Sequence, residues 1–205
     1  LVSIIILGIG PAVAETVATT VVPASGKTNA YVSPNGVPVV NIETADERGL
    51  SHNRYSRYNV EANGLVLNNG ADSPGLVARQ SALAGQIPSN LNLVNEATVI
   101  LNEVVSANRS LLAGYTEVVG GKADVIVANP YGITCNGCGF INTDRATLTT
   151  GTAETGADGS LTGFEVNSGD VLIGSEGIDA SAQQILDIVT RSVKAAGSIR
   201  TSPTG

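Results

Sequence analysis

The sequence predicts an all-β fold built from short strands. From residue 17 onward, short β-branched runs alternate with Gly, Asn and Asp turns. Glycine accounts for 24 of 205 residues, above the usual share of about 7%. Aromatic residues make up only 3%, with no Trp and no Met, so the core must come from Val, Ile, Leu and Ala. These features fit a sandwich, a barrel or a parallel β-helix. They favour the β-helix, whose narrow interior suits stacked aliphatic side chains, although the repeat is irregular. At 42% hydrophobic and 14% charged, the chain is too apolar and too weakly charged to be disordered.

The elements follow in order. Residues 1–14 hold an apolar run too short to span a bilayer. It ends in Ala12-Val13-Ala14, small residues at the spacing signal peptidase needs. We read it as the remnant of a secretory signal peptide, with residues 15–205 forming one domain. A strand is expected at residues 17–22. Tyr31-Val32 leads into the turn Ser33-Pro34-Asn35-Gly36, and residues 37–42 form a strand in which Pro38 marks an edge or an end. Residues 43–59 read as a polar segment carrying Arg48, Arg54 and Arg57. Residues 64–70 read as a strand followed by an Asn68-Asn69-Gly70 turn, and residues 71–95 as mixed. Strands are expected at 97–104, 115–119 and 123–128. Gly120-Gly121 between the last two signals either a hairpin or a tight solenoid corner. Leu148 sits among threonines, and residues 161–166 and 171–173 repeat the strand theme. Residues 182–193 admit a helix or a strand. The β-branched content favours the strand. Residues 195–205 do not read as a capping helix, so further coils are expected beyond them.

The charge balance is 11 basic against 18 acidic residues, −7 net, with a pI near 4.6. That argues against nucleic acid or an anionic membrane surface as the main partner. Two Cys and one His are too few for a closed zinc site. No metal, no cofactor and no catalytic residue is expected.

The densest motif runs from Ala128 to Thr143. It contains Asn129-Pro130-Tyr131-Gly132, a turn in which Pro fixes one φ and Gly supplies a positive one. Its Cys135-x-x-Cys138 admits three readings. A redox centre needs a βαβ context and a helix N-terminus, and neither is visible. Metal binding lacks ligands. A structural disulfide fixing a small turn suits an exported chain and is preferred over free thiols. His52 stands beside Ser51, yet adjacency in sequence does not make a dyad. The plain reading is a surface histidine in a polar loop. Carboxylates are scattered, and Asp72 and Asp158 in Gly-rich turns read as solvated rather than calcium-binding.

Four stretches carry a family resemblance. They are Asn35-Gly36-Val37-Pro38-Val39-Val40-Asn41-Ile42; Gly49-Leu50-Ser51-His52-Asn53-Arg54-Tyr55 followed by Tyr58-Asn59-Val60 and Gly64-Leu65-Val66-Leu67-Asn68-Asn69; Ile100-Leu101-Asn102-Glu103-Val104; and the run from Ala123 through Asn142-Thr143. In order and spacing, the chain resembles the two-partner secretion domain, or haemagglutination activity domain. That domain opens filamentous haemagglutinins, haemolysins and contact-dependent growth-inhibition toxins. The family's Asn-Pro-Asn-Gly signature reads Asn129-Pro130-Tyr131-Gly132 here, keeping the rigid Pro and the permissive Gly. Its upstream Asn-Pro-Asn-Leu signature corresponds to Asn90-Leu91-Asn92-Leu93, where Leu91 removes the proline's backbone constraint. The Cys-x-x-Cys is similar to the haemolysin and growth-inhibition branches.

The resemblance implies a right-handed parallel β-helix with N-terminal capping strands and a few strands outside the coils. It implies a monomeric module without catalytic activity or membrane insertion. An outer-membrane β-barrel transporter with periplasmic POTRA domains would recognise the module after Sec export and release it outside a Gram-negative cell. Asn90, Asn92, Leu93, Asn129, Pro130, Tyr131 and Gly132 are then the candidate recognition residues. Two other classes compete. A glycan- or receptor-binding adhesin would need an aromatic platform, and seven aromatics give little material for one. A polysaccharide-acting β-helix enzyme would need a carboxylate or basic cluster on one strand face, and none is apparent.

Overall fold

A computed structural model describes residues 19–75 and 78–202. The expected signal segment at residues 1–14 lies outside them. The described chain is built from strands and turns that wind into a parallel β-helix. Its walls are a seven-stranded, a six-stranded and a four-stranded sheet. Each full coil visits all three walls in turn. One coil, for example, places Tyr115–Gly120 on the seven-stranded wall, Asp124–Ala128 on the six-stranded wall and Ile133–Cys135 on the four-stranded wall. The next coil begins at Cys138–Ile141 and stacks in parallel register, with Tyr115 opposite Gly139.

Stacking buries a column of aliphatic side chains along the axis. Leu65, Leu67, Ile100, Val125, Val127, Ile133, Leu148 and Val171 have no measurable exposure. Alternation within each strand sends every second side chain inward, and β-branched residues suit that pleated surface. The Gly120-Gly121 pair is a solenoid corner, joining two walls rather than two antiparallel strands. Residues 182–193 contain the strand Ile185–Val189, which pairs in parallel with Arg145–Thr149.

Two antiparallel strands cap the N-terminal end. Val21–Pro23 lies against Leu50–Tyr58, and Asn29–Val32 forms a hairpin with Pro38–Asn41. Pro38 starts its strand, where a missing N–H is tolerated. Tyr55 and Tyr58 plug the first coil, edge to face with ring centroids 5.0 Å apart. Burial pushes both phenol pKa values well up.

Several sequence expectations need correction. Residues 43–59 are not simply a polar segment, because Leu50–Tyr58 is a nine-residue strand. Its inward positions include the polar Ser51 and Asn53, so the usual apolar alternation is hidden. His52 therefore lies on a strand rather than in a loop. Asn68 and Asn69 end the strand Leu65–Asn69 and are fully buried, not turn-forming. Residues 71–95 contain a hairpin, Ala78–Ser81 with Gly85–Pro88, that sits outside the coils. Leu161–Glu165 is not a coil strand either. It pairs antiparallel with Thr152–Thr155 in a second external hairpin.

The hairpins explain the irregular period. Thr134 pairs with Leu111 directly, but its partner on the other side is Leu172, beyond the second insertion. Each hairpin covers the outside of one wall. The first packs Ala84, Ile87 and Leu83 on Val37, Val39, Val66 and Val119. Glu117 fixes it by accepting the Ser81 hydroxyl at 2.6 Å and the Ala82 and Leu83 N–H groups at 2.7 and 2.9 Å.

The axial column sets the stability of the stack. Leu67→Ala should lower unfolding free energy by about 2–5 kcal/mol in urea titration, because the buried site cannot fully collapse. Leu91→Ala, at a side chain 83% exposed, should stay within about 0.5 kcal/mol of the parent.

Candidate functional site

A solenoid corner breaks the strand ladder, so its backbone groups need other partners. Buried side-chain amides supply them. Asn90 has no measurable exposure. Its Nδ2 donates to the carbonyls of Ile42 and Asn68, both at 2.9 Å. Its Oδ1 accepts the Asn92 N–H at 3.0 Å, and its carbonyl accepts the Leu93 N–H at 3.2 Å. The side chain thus builds its own turn and ties that turn to preceding strands.

Asn129 repeats this arrangement at another corner. It too is fully buried. Its Nδ2 donates to the Asn108 carbonyl and the Ser110 hydroxyl, both at 2.9 Å. Its Oδ1 accepts the Tyr131 N–H at 2.9 Å, and its carbonyl accepts the Gly132 N–H at 3.0 Å. Gly132 has φ of 103°, and a Cβ there would collide with the Arg109 guanidinium. Glycine is therefore required twice over.

The likeness of the two turns explains the Leu91 substitution. Position two of each turn faces outward, as Leu91 in one and the half-buried Pro130 in the other. The asparagine amide, not the proline, closes the turn. The structure does not bring the candidate residues into one patch. The Asn90 turn leads from the seven-stranded to the six-stranded wall, and the Asn129 turn from the six-stranded to the four-stranded wall. Asn90, Leu93, Asn129 and Gly132 are buried, and Asn92 and Pro130 half-buried. Tyr131 is 47% exposed. Cys135 and Cys138 occupy the third kind of corner, between the four-stranded and seven-stranded walls. They are joined as a disulfide inside the core, with Cα atoms 5.4 Å apart.

Sequence reasoning missed further clasps. Asn69 donates to the carbonyls of Ala97 and Gly121 at 2.9 and 2.8 Å and accepts the Ala97 N–H at 2.7 Å. Gln183 donates to the Phe140 carbonyl at 3.0 Å. Arg109 stitches neighbouring coils, donating to Thr134 Oγ1 at 2.8 Å, the Ile133 carbonyl at 2.8 Å and Asp170 Oδ1 at 2.6 Å. That guanidinium holds the Asp170 carboxyl below its usual range. No local pattern announces these contacts, since each depends on register between distant coils.

Glu103 is the main buried charge on the six-stranded wall. His52 Nε2 lies 2.9 Å from its Oε2, and Arg54 Nε lies 3.6 Å from the same oxygen. The His52 hydrogen bond, opposed by desolvation, holds the Glu103 pKa below its ordinary 4.5. Ser51 does not join His52. Its hydroxyl points the other way and donates to the Glu43 carbonyl at 2.7 Å. Among the described residues, no group of three or more His, Cys, Asp or Glu side chains is arranged to hold a metal. Among them, too, no helix is long and apolar enough to cross a membrane.

Comparison with known proteins places this geometry. The model of the TPS secretion domain family matches residues 15–204. A tRNA nuclease CdiA of Escherichia coli is 51% identical over 162 residues, covering 78% of this chain and 5% of the relative. A 16S rRNA endonuclease CdiA of Enterobacter cloacae subsp. cloacae is 49% identical over 180 residues, covering 87% and 5%. The filamentous hemagglutinin of Bordetella pertussis is 39% identical over 174 residues, covering 85% and 5%. The chain thus spans about one-twentieth of the length of these relatives. The crystal structure of a filamentous hemagglutinin secretion domain superposes with a TM-score of 0.77 at 39% identity, covering 84% of this chain and 56% of that one.

Asn90→Ala and Asn129→Ala should each cost about 1–3 kcal/mol in urea titration, because buried carbonyls and amides lose their partners. Pro130→Leu should cost less, since Leu91 already fills the matching position. Glu103 contributes stability that is complete above pH 4.5 and is lost as pH falls through its lower folded value. Glu103→Gln should therefore flatten the acid limb of the stability profile between neutral pH and pH 3.

Proposed function

Because this chain belongs to the family of TPS secretion domains, we propose that it is the address of a large exported protein. In this reading a cognate outer-membrane transporter bearing periplasmic POTRA domains selects the domain. The chain behind it then follows through the transporter's pore. The observation that carries the reading is the family match over residues 15–204, which takes in every coil described above.

The apolar segment at residues 1–14 serves in this account as the remnant of a Sec signal. The domain performs no catalysis. The nuclease activities named for the CdiA relatives belong to those whole proteins, of which the matched part is 5%. The protein is delivered to the outside or the surface of a Gram-negative cell. Once folded there, the leading coils give the chain that follows a template and bias its movement outward.

The candidate recognition residues, and Leu91 beside them, divide by exposure. Asn90 and Asn129 act by building and stapling their turns, because a partner of the folded domain cannot reach them. Leu91 and Tyr131, at 83% and 47% exposure, are what such a partner can touch.

The test is secretion. The domain, behind a complete signal peptide, is expressed in a Gram-negative host with and without the cognate transporter, and the medium is assayed. Release that requires the transporter is the expected result. Protein that stays periplasmic in both cases overturns the reading and moves attention to glycan binding.

A further inference from the structure

The hairpin formed by Thr152–Thr155 and Leu161–Glu165 leaves the six-stranded wall after Thr149 and does not stay near its root. At its tip, Asp158 meets Arg48, which lies 110 residues earlier in the chain. Arg48 donates Nη1 to the Asp158 carbonyl at 3.1 Å and Nη2 to the carboxylate at 2.5 Å. The tip is pre-shaped for this contact. Asp158 Oδ1 accepts the Ser160 N–H at 3.1 Å and the Ser160 hydroxyl at 2.6 Å, leaving Oδ2 for Arg48.

The hairpin therefore runs diagonally over the outside of the wall. Its root is at the Arg145–Thr149 strand, and its tip is at the turn before Leu50–Tyr58. Ala153, Leu161 and Phe164 pack against Leu101, Ile126 and Ala128, with Leu50 and Val99 at the margin. Close approach at the root depends on Gly151, where a Cβ would meet the Phe164 Cβ at 2.6 Å. Ala153 N–H also points to Glu103 Oε1 at 3.5 Å. The Arg48–Asp158 pair is half-exposed on both sides, and such pairs contribute little by themselves. The apolar underside carries the attachment, and the ion pair sets where the tip lands.

In a plain solenoid each coil contacts only its neighbours, and stability is a sum of local terms. This hairpin packs on strands from three successive coils, Leu50–Tyr58, Val99–Val104 and Asp124–Ala128, and is rooted by the chain itself in a fourth, Arg145–Thr149. We propose that it is a strap that locks these four coils into one cooperative unit, closed only when residues 152–165 have joined the wall. Under the secretion reading, on which this consequence rests, the leading coils remain open until residue 165 has emerged. They then close together.

The test is hydrogen exchange on the purified 205-residue chain without transporter, so its outcome is independent of secretion. In the parent, amides of the four wall strands should open with a common rate. In Leu161→Ser/Phe164→Ser, all four should exchange at least tenfold faster and by similar factors. A rise confined to residues 152–165, or graded coil by coil from the C-terminal side, overturns the proposal. Arg48→Ala changes a half-exposed side chain and keeps the test open should the double variant not fold. It should raise exchange about threefold in residues 152–165 and by the same factor in all four wall strands. A rise restricted to residues 156–160 overturns the strap.

Discussion

Backbone groups at the corners of a β-helix have no strand ladder to satisfy them, yet stacking buries them. Leaving a buried carbonyl unpaired costs as much as several good contacts return. This chain meets the constraint with side-chain amides from Asn69, Asn90, Asn129, Asn142 and Gln183. Each donates to corner or strand-end carbonyls of a neighbouring stretch. The two signature-like turns are the most complete examples, because their asparagines also close the turn in which they sit. Register between coils follows, since an amide reaches its carbonyl in only one alignment.

The walls depend on those corners. With register fixed, aliphatic residues stack into a continuous column, and two of the few aromatic residues sit where the column begins. Tyr55 and Tyr58 close the first coil beneath the antiparallel cap. The outward faces then divide. Two walls carry apolar outer patches, each covered by an external hairpin. Glu117 clasps the first hairpin by accepting N–H groups at its turn. The second is held mainly by Leu161 and Phe164. In both cases an insertion in the sequence becomes a contact between coils that are far apart along it.

Much of this was legible in the residues. The runs around Val99, Val118 and Val125 announced strands, and Gly120-Gly121 announced a hairpin or a corner, of which the structure shows the corner. The Asn129 turn and its glycine were readable because Pro and Gly have local conformational meaning. The Asn90 turn was harder, because Leu91 replaces the expected proline and the asparagine's role depends on carbonyls at Ile42 and Asn68. The strand Leu50–Tyr58 was hidden because its inward side chains include Ser51 and Asn53, which look like surface residues. The hairpins were hidden for a different reason. Their partners lie far along the chain, from Glu117, 36 residues after Ser81, to Arg48, 110 residues before Asp158, and their insertion breaks the coil period that would otherwise mark a solenoid. His52 read as a loop residue because its partner, Glu103, comes from the next coil.

The central claim is that the buried asparagines serve export by holding the coil stack. The most direct measurement compares transporter-dependent secretion with urea stability across one series: Asn90→Ala, Asn129→Ala, and the axial variants Ile133→Ala and Leu148→Ala. The account predicts one common relation, with each asparagine variant losing as much secretion as an axial variant of equal stability. Asn129→Ala falling far below that relation would contradict it. The side chain would then be read directly, on a chain not yet folded.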